Sequence, residues 1–341
     1  MKNINFSSCV RVHEMLFFVS TDGYLMELDD LTGTTKIIIP RNLNELKITQ
    51  IADKMLLIDN SVYFFESDGS LLYEYNYNTN YCSRYILPKL KMVDYKCFSG
   101  IYYFDKKIYM FTKLSGEIYS FDTIRKEIIP VFNSNKNNVI CSIKIDENVY
   151  IANERKILKY SLKEHIYVEE INIDEDVLWM NTYNNYIYIM SVNQVIEYDK
   201  DFKTKRIIYA DNESKREYNR IFITKNKFFL LPISKKEICV IDKENRKLSY
   251  EKEAEYTVET NINWSKYDGY CEDENYIWCD NRRTGYVLRI DKNNENIKWI
   301  EVKPTDVHEK FPYIKESINR KEIISESGIG LRGFINYILE R

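Results

Sequence analysis

The feature that most constrains this chain is a short segment that returns seven times. YLMELD, LLYEYN, EIYSFD, KILKYS, QVIEYD, EICVID and YVLRID end at Asp29, Asn76, Asp122, Ser161, Asp199, Asp242 and Asp291. The residue before each end is large and apolar or aromatic: Leu28, Tyr75, Phe121, Tyr160, Tyr198, Ile241 and Ile290. Two before the end it is polar in every unit except the sixth, where Val240 stands, and three and four before the end it is apolar or Cys. A strand written this way is buried along one face and partly covered on the other.

Each repeat, here strand C, has the same surroundings. An apolar run such as MLFFVS, IYMFT or KFFLLPI (strand B) comes first, and in four units the joining turn ends in Gly23, Gly69, Gly116 or Gly285. Glycine there supplies the positive φ of a tight hairpin. Behind strand C, a polar turn such as DLTG, NYNTN or DKNN leads to a fourth run (strand D), and another strand (A), such as GIYYFD, precedes each B. The repeat ends stand about 38 to 49 residues apart, the spacing of four-stranded propeller blades.

A four-stranded sheet cannot bury both of its faces by itself. Sheets stacked face to face around an axis do so and leave only short, protected edges. The expected fold is therefore all-β, a seven-bladed β-propeller of four-stranded antiparallel blades over residues 1–302, and a pair of separate sandwiches is its rival. In the extension 303–341, Leu331, Phe334, Ile335, Ile338 and Leu339 fall at helical spacing, which predicts an amphipathic helix over 329–340. Such a helix packs on the propeller or docks on a partner.

DGYLMELDDLTGTTKIII resembles a blade of the quinoprotein-like propellers, with its glycine turn, its strand ending in Asp and its Thr-Gly turn. IYMFTKLSGEIYSFD is more similar to Kelch-type or divergent propeller blades. The resemblance implies membership of the β-propeller superfamily and no specific family: only the first unit keeps Asp29 with Thr32-Gly33, and neither a Trp-Asp dipeptide nor a diglycine appears. The quinone cofactor implied by the first blade finds no echo in the other six, so no cofactor is expected.

Composition narrows the function classes. With 49 basic and 52 acidic side chains spread along the length, there is no domain-wide footprint for nucleic acid or for an anionic membrane surface. No apolar run approaches 18 residues, and the N-terminus lacks signal-peptide architecture. Seven Cys at irregular spacing, mostly inside apolar runs, predict reduced, buried thiols and a cytoplasmic location. Cys271 and Cys279, counted outward from the Glu274-Asn275 turn, fall one residue out of register on opposite faces.

Catalytic and metal patterns are declined. His13, His165 and His308 are far apart and have no Cys or His at metal spacing. DKNNEN from Asp291 lacks the glycine and the closing glutamate of a calcium loop and predicts a solvated turn. The D-to-A connections are the longer loops, so their rim is the expected working face. Tyr95, Arg216, Tyr218, Trp264, Tyr267, Arg282 and Arg283 lie on it, and aromatic and Arg side chains dominate protein-contact hot spots. The expected function is a non-catalytic binding module presenting that rim to a protein or peptide. A carbohydrate-binding or carbohydrate-processing propeller, motivated by Trp264 and Trp278, is the alternative.

Overall fold

A computed structural model describes residues 6–20, 23–42, 52–67, 69–88, 97–132, 139–210, 217–233, 235–254, 267, 269–281 and 284–303. Among these, seven four-stranded antiparallel sheets follow one another along the chain, each in simple sequential order. The blades occupy residues 6–37, 52–86, 98–132, 141–172, 179–210, 218–252 and 270–301. Their inner A strands are Phe6–Val12, Ala52–Ile58, Phe98–Phe104, Cys141–Ile145, Trp179–Tyr183, Tyr218–Ile223 and Tyr270–Glu272. The predicted helix over 329–340 lies outside the described residues.

Period-two alternation turns a strand into a two-sided contact. In strand B of blade 1, Leu16 and Phe18 join a cluster with Trp278 and Val287 of blade 7, while Phe17 and Val19 face Val62 and Phe64 of blade 2. The next blade repeats the pattern, with Tyr63 and Phe65 meeting Ile108 and Met110 of blade 3. Every apolar cluster of the described residues is shared by two neighbouring blades, and together they run around the ring. Each fully buried Phe or Leu contributes about 1.5–3 kcal/mol. Outer strands bury least: Leu248–Lys252 is exposed along its whole length.

The turns follow the sequence closely. Gly23, Gly69, Gly116 and Gly285 all adopt positive φ, and the Gly69 amide donates to the Glu66 carbonyl to close the hairpin. On the opposite rim, the polar residue ending strand C caps its own turn. Asp29 Oδ1 accepts from the amides of Leu31 and Thr32, and Asp122 and Asp291 repeat the arrangement. The DKNNEN segment is such a turn.

The ring closes between complete blades, with no strand exchanged among the described residues. Phe6 N donates to Asp280 Oδ2, and Arg11 reaches Asp273 at 2.9 Å. Asp30, with its side chain 3% exposed, lies 3.6 Å from Arg11 and 3.4 Å from Arg289. Both guanidinium groups also lie over the Tyr276 ring. At the outer edge Thr34 bridges to Lys303, whose amide donates to the Gly33 carbonyl.

Candidate site at the axial channel

Blades 5 and 7 are not neighbours in the ring, yet Trp179 and Tyr270 meet edge to face with ring centroids 5.7 Å apart. That contact is possible only on the axis, past the inner strand of blade 6. Between them blade 6 supplies Arg220, its guanidinium carbon 4.0 Å above the Trp179 ring and 5.3 Å from that of Tyr270. Phe222, two residues further along the same strand, packs on Tyr270 from below at 5.5 Å. Across the channel, Tyr102 of blade 3 hydrogen-bonds Ser142 of blade 4 at 3.0 Å. Gly100 makes room for that pair, since a methyl group there would collide with the Ser142 hydroxyl and the Tyr102 ring.

Trp179, Arg220, Tyr270 and Ser142 stand at or near the beginnings of their A strands, which places them under the rim of the D-to-A connections, whereas Tyr102 and Phe222 lie further along theirs. Burial pushes the Tyr270 phenol up to about 12 against the pull of Arg220. Burial likewise raises Tyr102, and it raises the Cys141 thiol to about 12. The cluster thus combines neutral hydroxyl donors, aromatic faces and the Arg220 guanidinium. It suits holding an aromatic, aliphatic or polar side chain, because it pairs desolvated rings with a few convergent donors. Among the described residues there is no group of three His, Cys, Asp or Glu able to hold a metal ion.

The structure separates the rim residues expected from sequence. Tyr95, Arg216, Trp264, Arg282 and Arg283 lie outside the described residues. Tyr218 and Tyr267 are described and buried, at 7% and 0% exposure, so neither presents its ring to solvent. Tyr267 is instead an anchor: its carbonyl accepts from Arg220 Nε at 2.9 Å, and its hydroxyl donates to Glu253 and accepts from Asn281 Nδ2. It ties the chain entering blade 7 to the end of blade 6. Tyr218 walls a shallow cleft of about 280 Å³, open mouth included, beside Ser191, Gln194 and Glu217.

Trp278, which motivated sugar stacking, is 0% exposed in the core between blades 7 and 1, with Arg11 over its ring at 5.0 Å. The histidines that are described serve packing: His165 hydrogen-bonds Tyr109 at 3.0 Å, and His13 lies edge-on to Tyr77. Sequence reasoning missed Trp179, Arg220 and Tyr270. A signal was present, because an Arg inside the apolar run YNRIFI has no place on a strand buried on both faces unless it meets specific partners.

No family model and no curated protein matches the sequence. Solved structures do. A catalytically inactive virginiamycin B lyase from Staphylococcus aureus, studied with quinupristin, aligns at TM-score 0.61 and 11% identity over 84% of this chain and 94% of that one. PorZ, an essential surface component of the type IX secretion system of Porphyromonas gingivalis, aligns at TM-score 0.60 and 11% identity over 89% of this chain. This chain spans only 39% of PorZ. BamB from Moraxella catarrhalis aligns at TM-score 0.51 and 10% identity over 81% of each. At such identities the likeness concerns architecture, and with the seven blades described above it defines the chain as a seven-bladed β-propeller.

Proposed function

We propose that the chain is a non-catalytic binding module that takes a protein or peptide on the rim of its D-to-A connections, above the aromatic mouth of the channel. The observation that carries this reading is the convergence of Trp179, Arg220 and Tyr270 from three blades beneath that rim. Rings held in place by a rigid frame offer large contact area with little entropy left to lose on binding. Tyr267, pinned to Arg220, links the same cluster to the end of the long connection that enters blade 7. Seven free thiols suit a reducing compartment, and cytoplasmic location belongs to the same proposal.

Panning a random peptide display library on the immobilised full chain tests the reading. A common motif should be enriched, and a synthetic peptide carrying it should bind wild type about tenfold more tightly than Trp179→Ala, the loss expected when one aromatic contact is removed. Melting curves confirm that the variant is folded. No enriched motif, alongside specific hits on a glycan array, would transfer the site to carbohydrate and overturn the peptide reading.

A further inference from the structure

The apolar seam between blades 1 and 7 also brings two thiols together. Cys9, in the inner strand of blade 1, and Cys271, in the inner strand of blade 7, place their sulfur atoms 2.8 Å apart although 262 positions separate them in the chain. Cys9 follows an irregularity in the pairing of its strand with strand B, between Phe6 and Cys9, that aims it at the neighbouring blade. Cys271 pairs with Trp278, whereas Cys279 pairs with Tyr270 on the other face of the sheet and stays in the cluster between blades 6 and 7. Only one of the two blade 7 thiols therefore meets Cys9. A disulfide bond is about 2.05 Å long, so bonding asks for an approach of less than about 1 Å.

We propose that Cys9 and Cys271 form a reversible disulfide that latches the ring covalently at its seam. The oxidant is a low-molecular-weight disulfide such as oxidised glutathione. Cys271 is the half-buried partner and Cys9 the buried one, at 1% exposure, so Cys271 reacts first. Its thiolate attacks one sulfur of the small disulfide, which releases one small thiolate and leaves a mixed disulfide on Cys271. The Cys9 sulfur then attacks that of Cys271, and its proton passes to the departing small thiolate, which leaves as a thiol. One small disulfide is reduced to two thiols while two protein thiols become one disulfide.

The consequence follows from how the ring is built. In the reduced protein, blades 1 and 7 are held by apolar packing, the Arg11, Asp30, Asp273 and Arg289 network, the hydrogen bond from Phe6 to Asp280 and the outer-edge contacts of Gly33, Thr34 and Thr35 with Lys303, all of them non-covalent. Opening there frees both ends of the chain. A bond between residues this far apart removes much of the entropy gained on opening, because the stabilisation grows with the loop that it closes.

The test uses the full chain, folded and incubated with oxidised glutathione or with dithiothreitol. Non-reducing peptide mapping should find one linked pair containing Cys9 and Cys271, and the oxidised protein should melt about 5–10 °C higher. Dithiothreitol should reverse both effects, Cys279→Ser should retain both, and Cys9→Ser or Cys271→Ser should lose both. Cys271→Ser decides the matter if the buried Cys9→Ser chain does not fold. Complete alkylation of all seven thiols after oxidation, a different linked pair, or a melting shift that survives in Cys271→Ser would overturn the proposal.

Discussion

Glu74 is the residue through which blades 2 and 3 are tied. Its carboxylate accepts from the hydroxyls of Tyr63 and Tyr85, each at 2.8 Å, and from Lys126 Nζ of the next blade at 2.7 Å. Burial works against its charge, but the hydrogen bonds from Lys126, Tyr85 and Tyr63 outweigh that cost and hold its carboxyl below the usual glutamate value. A lowered folded-state value means stability that is fully present above the unfolded value and lost as pH falls through the folded one. Glu74→Gln should therefore lower stability by about 1–2 kcal/mol at pH 7, and urea titrations should find the gap to wild type narrowing below about pH 4. The sequence presents Glu74 merely as the polar residue of its repeat. Its ties lie on strand B, strand D and another blade, and none of them leaves a mark in local spacing.

At the scale of the element, the turn from strand C to strand D does more than reverse the chain. In all seven units it holds a residue of positive φ three or four positions after strand C: Gly33, Asn80, Lys126, His165, Phe202, Arg246 and Glu295. Each meets the preceding blade. Lys126 reaches Glu74, His165 meets Tyr109, Phe202 lies on Tyr150, and Glu295 accepts from Thr224 and the Asn226 amide. Gly33 is the member at the seam, where its backbone sits against the Glu301 carbonyl and leaves no space for a side chain. Gly33→Ala should cost about 2–3 kcal/mol, read from the denaturation midpoint, since strained φ and collision add. Strands B and C were legible because both faces are apolar and their ends share one polar cap. The C-to-D contact was not, because glycine, cations, a carboxylate, a ring and an amide fill one role through unrelated chemistry. Inner strands were the least legible elements: Tyr270–Glu272 is three residues long and owes its place to Trp179, Arg220 and Phe222.

The whole molecule is a chain of nearest-neighbour interfaces bent until its ends meet. Seven blades were countable from sequence, because only circular stacking buries both faces of every sheet. How the ring closes was not countable, since closure rests on Asp30 between Arg11 and Arg289 and on the meeting of Gly33 with Lys303, contacts between opposite ends of the chain. Closure of the seven blades into a ring, blade 7 against blade 1, is the central claim, and pulsed electron–electron resonance tests it most directly. Nitroxide labels introduced by Leu31→Cys on blade 1 and Lys298→Cys on blade 7 sit on exposed positions, while six of the seven native thiols are buried. Sheets pack about 10 Å apart, so a closed ring predicts one narrow distance of roughly 20–30 Å, label arms included. A distance near or beyond about 60 Å, the span of seven sheets stacked in an open row, would contradict the closed ring and the channel site built upon it.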